Sequence, residues 1–139
     1  MRAHLRVVFD TNVVVSAMLT GGGTPDLALQ LVLQGDAILL TDSRIMAEYD
    51  EVTSRPRFGF PPIERRVLLD VLARLSQPVL SRPLRLSLPD PDDRLFVEVA
   101  MAGGADAIVT GNTRHFVPKK GELGVTVWTP RQFVDRLRR

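Results

Sequence analysis

The stretch Arg6-Val-Val-Phe-Asp-Thr-Asn-Val-Val-Val-Ser-Ala17 decides the fold of this chain. Its first apolar run, residues 7–9, is short and rich in β-branched side chains, which predicts a strand buried on both faces. Asp10 follows that run directly, and the apolar residues that resume at Val13 indicate a helix. We therefore expect Asp10 at the carboxyl end of a first parallel strand, the edge at which open α/β sheets build their sites.

Strands and helices alternate along the rest of the chain. Further strands are predicted at 37–40, 107–110 and 125–128. Apolar residues at three- and four-residue spacing indicate helices between them, the second with Thr24 as its cap and Pro25 at its first position. A proline-containing segment, 77–88, allows at most an edge strand. This order predicts an α/β fold in which helices cover both faces of a central parallel sheet.

Length and composition narrow the class of protein. A chain of 139 residues predicts one domain, spanning 1–139, and hydrophobic and charged contents of 45% and 24% are globular values. No apolar run approaches the roughly 18–20 residues that span a bilayer, and Asp10 interrupts any signal peptide. The absence of cysteine excludes disulfides and thiolate metal sites. Together these features predict a cytoplasmic protein without a membrane segment.

Positive charge is concentrated in one segment of the chain. Residues 54–86 contain seven arginines against Glu64 and Asp70. Such a segment can contact phosphate backbones or can be an ordinary solvated helix face, and both interpretations stay open. Within it, residues 54–62 contain two phenylalanines and three prolines. They could form a substrate loop, although a packed connection between two helices is the favoured interpretation.

Four polar residues follow or adjoin the predicted buried elements. Asp10 and Asn112 end strands, Asp93 opens a helix that precedes the strand of Asn112, and Glu48 lies within a helix. If the four converge, their oxygen atoms form the ligand set that Mg²⁺ or Mn²⁺ prefers. Carboxylates that close would repel one another unless a cation intervened. One or two such metals could activate water to hydrolyse a phosphodiester.

Each of these residues also has an ordinary structural explanation. Asp10 and Asp93 could cap a turn or helix, Glu48 could be a solvated helix residue, and Asn112 could be a turn residue. Their joint placement at strand ends is what favours a shared site. His115 follows Asn112 closely and could act as a base, although a surface role in a loop is the favoured interpretation.

Four sequence motifs resemble those of one nuclease family. The chain is similar to PIN-domain nucleases, in particular VapC-type toxins, and the resemblance covers nearly its whole length. The motifs are V-F-D-T-N-V-V-V-S-A (8–17), A-E-Y-D-E-V-T-S-R-P-R-F (47–58), D-P-D-D-R-L-F-V-E-V-A (90–100) and G-A-D-A-I-V-T-G-N (104–112). Asp10, Glu48 and Asp93 match the acidic residues of the first three motifs. Asn112 stands where many members have Asp.

The resemblance implies a PIN-like three-layer sandwich and a Mg²⁺- or Mn²⁺-dependent endoribonuclease. It implies Asp10, Glu48, Asp93 and Asn112 as catalytic and metal-binding residues. It also implies a small antitoxin as partner and a homodimer or higher homo-oligomer. Because Asn112 removes one negative charge, we expect one metal ion, or a second bound only weakly.

The resemblance further implies supporting roles for three polar residues beside the acids: Asn12, Ser16 and Thr110. Weaker candidates for RNA contact are Arg55, Arg57 and Arg114. Two alternatives stay open. The chain could be a non-catalytic PIN-fold module that binds RNA or a protein partner through its arginine segment. It could also be a flavodoxin-like or receiver-type domain, although no lysine lies where that class needs one.

Overall fold

The computed structural model of the protein describes residues 4–138, so the ends of the predicted domain, 1–3 and 139, lie outside it. Its centre is a five-stranded parallel sheet with the order β3-β2-β1-β4-β5. The strands are β1 Leu5–Phe9, β2 Ala37–Thr41, β3 Gln77–Pro78, β4 Ala107–Val109 and β5 Val127–Trp128. The predicted central parallel sheet is thus confirmed. The receiver-type alternative is wrong, because flavodoxin-like sheets have the order 2-1-3-4-5.

Six α-helices connect and cover these strands within residues 4–138. They are α1 Thr11–Leu19, α2 Thr24–Leu33, α3 Ser43–Thr53, α4 Pro62–Leu75, α5 Arg94–Ala102 and α6 Pro130–Leu137. Short 3₁₀ turns occupy Pro56–Phe58, Pro91–Asp93 and Thr113–Phe116. The predicted cap of α2 is wrong, because Gly23 is the capping residue and Thr24 is already helical. Within residues 4–138, no helix combines the length and the apolar character that crossing a bilayer requires.

The helices divide between the two faces of the sheet. The connections from β1 to β2 and from β3 to β4 run in opposite directions across it, so right-handed crossovers place their helices on opposite faces. In agreement, α5 packs on β1, β2 and β4, whereas α2 packs against both α1 and α6. This is the three-layer arrangement that the alternating elements predict.

The end of β1 is the most enclosed part of the core. Val7, Val8 and Phe9 are fully buried, as expected of a central parallel strand. The Phe9 ring meets the edge of Phe133 from α6, with 5.8 Å between centroids. The buried Tyr49 hydroxyl donates a 2.6 Å hydrogen bond to the carbonyl of Phe9. That bond fixes α3 against the carboxyl end of β1, one residue before Asp10.

Candidate active site

Asp10 occupies the position that the sequence predicts, directly after β1 and at the start of α1. Its side chain is only 5% exposed, and although Asp10 is the N-cap residue of α1, its carboxylate makes no capping hydrogen bond. The Thr110 hydroxyl, at the end of β4, donates a 2.8 Å hydrogen bond to Asp10 Oδ2. The ends of β1 and β4 are therefore joined through their polar side chains.

Asn12 extends this network across the edge of the sheet. Its Oδ1 accepts a 2.9 Å hydrogen bond from the backbone N–H of Gly111, and its Nδ2 lies 3.4 Å from Thr110 Oγ1. The Thr110 hydroxyl oxygen also accepts from the backbone N–H of Asn112 at 3.0 Å. Asn12 and the fully buried Thr110 therefore hold the loop after β4 in a fixed position beside Asp10.

Asp93, His115 and Asn112 form a second connected group. His115 Nε2 lies 3.0 Å from the amide nitrogen of Asn112, and His115 Nδ1 lies 3.9 Å from Asp93 Oδ2. Because an amide nitrogen can only donate, Nε2 is the acceptor and the neutral ring carries its proton on Nδ1, which faces Asp93. His115 thus lies between two predicted site residues, although its position in a loop did not predict this link.

Electrostatic coupling relates these groups to Glu48. Burial raises the pKa of Asp93 to about 7, with further increases from Asp10, Asp90 and Glu48, while His115 lowers it. Burial also raises the pKa of Glu48, as do Glu51 and Asp10. The three acids predicted to converge, Asp10, Glu48 and Asp93, therefore lie close enough to repel one another in their charged forms.

The pKa of Asp10 is likewise raised by burial. The Thr110 hydrogen bond, His115 and the backbone amides of Thr11 and Asn12 act in the opposite direction. Within residues 4–138, no arginine or lysine forms an ion pair with Asp10, Glu48 or Asp93. The negative charge of this cluster is therefore offset only in part, by Arg55, which lowers the pKa of Glu48, and by His115, which lowers the pKa values of Asp10 and Asp93.

The donor chemistry of the cluster fits Mg²⁺ or Mn²⁺. Its side-chain ligands are oxygens, which hard divalent cations prefer. Within the described chain, no group of three or more His, Asp or Glu side chains lies close enough to hold one ion. Mg²⁺ commonly binds through one or two carboxylates and keeps several waters, so two of these acids are enough to hold the ion. Asp10 and Asp93 are the two candidates with the least exposed carboxylates.

A cleft of about 560 Å³ adjoins Glu48. Its wall is formed by α3 and the start of α5, and it includes Glu51, Asp92, Arg44 and Arg94.

The structure says less about the roles of two other predicted residues, Ser16 and Arg114. Ser16 lies half-buried one turn after Asn12 on α1, and Arg114 is exposed on the turn that carries His115.

The sequence analysis did not identify two residues of this region, Glu98 and its partner Arg44. Glu98, in the middle of α5, is buried and accepts a 2.7 Å hydrogen bond from Arg44 Nη1 and a 2.9 Å bond from the Leu84 N–H. Arg44 also binds Asp42 at 2.9 Å. The position of Glu98 inside the apolar run Phe96–Ala100 indicates a buried carboxylate that needs a partner. The sequence does not indicate which residue that partner is, because Arg44 is more than fifty residues away.

Comparison with known proteins agrees with this architecture. The PIN domain family matches residues 6–114, which include β1, the end of β4 and every predicted site residue. The chain therefore belongs to the PIN domain family, whose members are generally nucleases. It is also similar to the uncharacterized protein MJ1680 of Methanocaldococcus jannaschii, with 26% identity over 144 residues, covering 96% of this chain and 92% of the relative.

Proposed function

We propose that this protein is a Mg²⁺- or Mn²⁺-dependent endoribonuclease that hydrolyses RNA phosphodiester bonds. Family membership supports the nuclease class. The observation that carries the rest is the buried carboxylate of Asp10, which couples electrostatically to Asp93 and Glu48. Among the described residues its carboxylate accepts a hydrogen bond from the Thr110 hydroxyl, and no arginine or lysine pairs with it. A buried anion without a cation is costly, so a bound divalent ion would relieve the repulsion among these acids.

In this proposal Asp10 and Asp93 hold the ion, and Glu48 contributes directly or through a water. Asn112 is an auxiliary ligand through its amide oxygen, since its nitrogen contacts His115. When bound, the ion would polarise the scissile phosphate and lower the pKa of the attacking water. Because Asn112 carries no charge, we expect one tightly bound ion.

The remaining residues position this cluster. Thr110 fixes one oxygen of Asp10 through its hydroxyl, and Asn12 holds the loop after β4 through the Gly111 N–H. Ser16 faces the same side of α1 as Asn12, since the two are four residues apart. His115 Nδ1 lies 3.9 Å from Asp93 Oδ2, close enough for electrostatic attraction when the ring is protonated. Together these contacts orient the acids before substrate binds, which limits the reorganisation needed for hydrolysis.

We further propose that the protein is the toxin of a toxin–antitoxin pair and forms a homodimer or higher homo-oligomer. The support for this finer assignment is the resemblance to VapC-type toxins. Sequencing the neighbouring genes tests it: a short upstream frame with a DNA-binding motif favours a toxin, and its absence favours RNA processing. Location in the cytoplasm stays a prediction.

A non-catalytic RNA-binding module is the alternative, and the arginine segment now supports it less. Glu51 pairs with Arg55, and Asp50 pairs with both Arg65 and Arg66. Three of the seven arginines are therefore neutralised by carboxylates. The other four arginines form no ion pair within residues 4–138.

The decisive experiment compares RNA cleavage by the natural protein, Asp10→Asn and Asp36→Asn. Asp36 is an exposed aspartate before β2 and serves as the matched control. On mixed single-stranded RNA with Mg²⁺ or Mn²⁺, we expect Asp10→Asn to lose at least about a hundredfold in rate. Asp36→Asn should cleave normally, and a chelator should stop all cleavage. Cleavage retained by Asp10→Asn would reject the proposed site, and RNA binding without cleavage by the natural protein would favour the non-catalytic module.

A further inference from the structure

Aromatic and arginine side chains stack on one another in the connection between α3 and α4. The rings of Phe58 and Phe60 are 5.5 Å apart between centroids and nearly parallel, at 12°. The guanidinium carbon of Arg57 lies 4.8 Å from the centroid of Phe58. We call residues 57–60 the stacking loop. Its cation–aromatic–aromatic array is the type of surface on which nucleic-acid bases stack.

The stacking loop is not part of the hydrophobic core. Neither Phe58 nor Phe60 belongs to the core cluster or to the hydrophobic side chains that pack against it within residues 4–138. Both rings are only partly buried, and Arg57 and Gly59 beside them are exposed. Large aromatic rings normally contribute their area to a core or an interface. The favoured prediction of a packed connection therefore does not account for these two rings.

The backbone holds the loop in a defined shape. Pro56 starts its 3₁₀ turn, and Gly59 has a φ of 62°, which only glycine adopts readily. This turn at Gly59 brings the flanking phenylalanines side by side. Pro61 caps α4 and Pro62 is its first residue, so the loop also ends on restricted backbone. A preformed platform loses little conformational entropy when a ligand binds.

The loop lies along a continuous path from the acidic cluster. Glu48 and Glu51 share one face of α3 and line the cleft, and Arg55 follows two residues after the helix ends at Thr53. Arg55 Nη2 binds Glu51 at 2.8 Å at the end of this face. The helical rise places Thr53, the last residue of α3, about 7.5 Å along the axis from Glu48. A strand cleaved at the acids can therefore reach the loop along α3.

The charge on the stacking loop indicates which class of ligand it binds. Arg55, Arg65 and Arg66 nearby are paired with carboxylates. Arg57 has no carboxylate partner among the described residues, and its guanidinium contacts an aromatic ring instead. An available positive charge beside stacked rings suits a chain of phosphates and bases better than an apolar peptide.

We propose that the stacking loop is a base-binding subsite for the RNA that reaches the acidic cluster. An unpaired base extends the stack of Arg57, Phe58 and Phe60, and the arginine charge attracts the adjoining phosphate. Bases within a duplex are already stacked on their neighbours and cannot enter this array. The proposal rests on the proposed ribonuclease function, for which it names a loop that holds a base of the substrate.

The test measures RNA binding in the Asp10→Asn background, so that cleavage does not interfere. The probes are a labelled oligouridylate and an abasic oligomer of the same length, followed by fluorescence anisotropy. Phe58→Leu and Phe60→Leu keep an apolar side chain but remove the stacking surface. We expect each to bind the oligouridylate about five- to a hundredfold more weakly, and to bind the abasic oligomer unchanged.

Arg57→Gln supplies a second variant that does not alter the rings, and Arg74→Gln on α4 is its charge-matched control. Arg57→Gln should weaken binding of both oligomers, and Arg74→Gln should weaken neither. Unchanged oligouridylate binding by the two leucine variants would overturn the proposal, as would an equal loss on the abasic oligomer. A change in their oligomeric state with unchanged RNA binding would assign the loop to a protein contact and would also overturn it.

Failure of the subsite and failure of the nuclease assignment are distinguishable. If the protein carrying Asp10 cleaves RNA but the leucine variants bind normally, the subsite fails alone. If it cleaves no RNA while the variants lose base-dependent binding, the subsite stands and the nuclease assignment fails. Thermal unfolding of Phe58→Leu and Phe60→Leu checks that each remains folded.

Discussion

Two carboxylates in this protein are almost equally buried but differ in what surrounds them. Asp10 at the end of β1 is 5% exposed, and Glu98 in α5 is 7% exposed. Glu98 accepts hydrogen bonds from the guanidinium of Arg44 and from the backbone N–H of Leu84. Asp10 receives a hydroxyl from Thr110, and no cationic side chain of the described chain pairs with it.

The difference indicates a structural role for one acid and a functional role for the other. A buried carboxylate is tolerated when a charge and hydrogen bonds compensate it, and Glu98 obtains both within the chain. It thereby ties α3, α5 and the segment before α5 together. Asp10 obtains only part of that compensation, and its neighbours Asp93 and Glu48 carry the same charge. The missing compensation at Asp10 is what a divalent ion would supply.

The largest expected effect is on the free energy of unfolding, and we expect it for substitution of Glu98 but not of Asp10. Glu98→Gln leaves Arg44 without its buried partner, so we expect the free energy of unfolding to fall by about 1–3 kcal/mol. Asp10→Asn removes an uncompensated charge, so stability should stay equal or rise. Denaturant unfolding in the presence of a chelator measures both, with the exposed Glu122→Gln as control. A loss of stability in Asp10→Asn as large as in Glu98→Gln would break the comparison.

The pH dependence of stability tests the repulsion within the acidic cluster. Burial first, then Asp10, raises the pKa of Asp93 to about 7, well above its model-compound value of 3.8. Between these values the folded protein holds a proton that the unfolded chain has released. The contribution of Asp93 to stability is therefore present at low pH and is lost as the pH rises towards 7.

We accordingly expect the metal-free protein to lose stability relative to Asp93→Asn as the pH rises from about 4 to about 7. Denaturant unfolding of both proteins at several pH values, with chelator present, gives this difference. A difference that stays constant across the window, or one that changes in the opposite direction, would show that Asp93 is not perturbed as described.

A smaller effect is expected where Thr110 positions Asp10. Thr110→Val keeps the side-chain shape but removes the hydroxyl that binds Asp10 Oδ2. We expect RNA cleavage to slow about tenfold and stability to fall by about 1 kcal/mol. Thr110→Ser keeps the hydroxyl and should recover most of the cleavage rate. If valine and serine variants cleave equally well, the hydroxyl does not position the carboxylate.

Much of the fold followed from local sequence patterns. The run at residues 7–9, the following Asp10 and the alternation of strands and helices predict the parallel sheet, because their periods are set by neighbouring residues. The capping position of α2 did not follow, since glycine and threonine are both acceptable caps and only the backbone geometry chose Gly23. Ile63 in α4 occurs at the apolar spacing of a helix but is 80% exposed, because periodicity does not say what a helix packs against.

The sequence predicts the acidic residues of the site, but it does not predict the side-chain contacts that connect them to other residues. Asp10 and Thr110 follow neighbouring strands, so the parallel sheet brings them to one edge. The contact of His115 with Asp93 depends on how a 3₁₀ turn folds back, and no sequence spacing encodes it. The pairing of Glu98 with Arg44 joins two helices that are distant in the chain. Such contacts are set by tertiary packing.

Calorimetric titration with Mn²⁺ tests the central claim most directly. We predict that the natural protein and Glu98→Gln bind one Mn²⁺ ion tightly, and that Asp10→Asn loses this binding, because only Asp10 depends on an external cation. Equal Mn²⁺ binding by Asp10→Asn and the natural protein would contradict this account. Two tight sites in the natural protein would contradict the role assigned to Asn112.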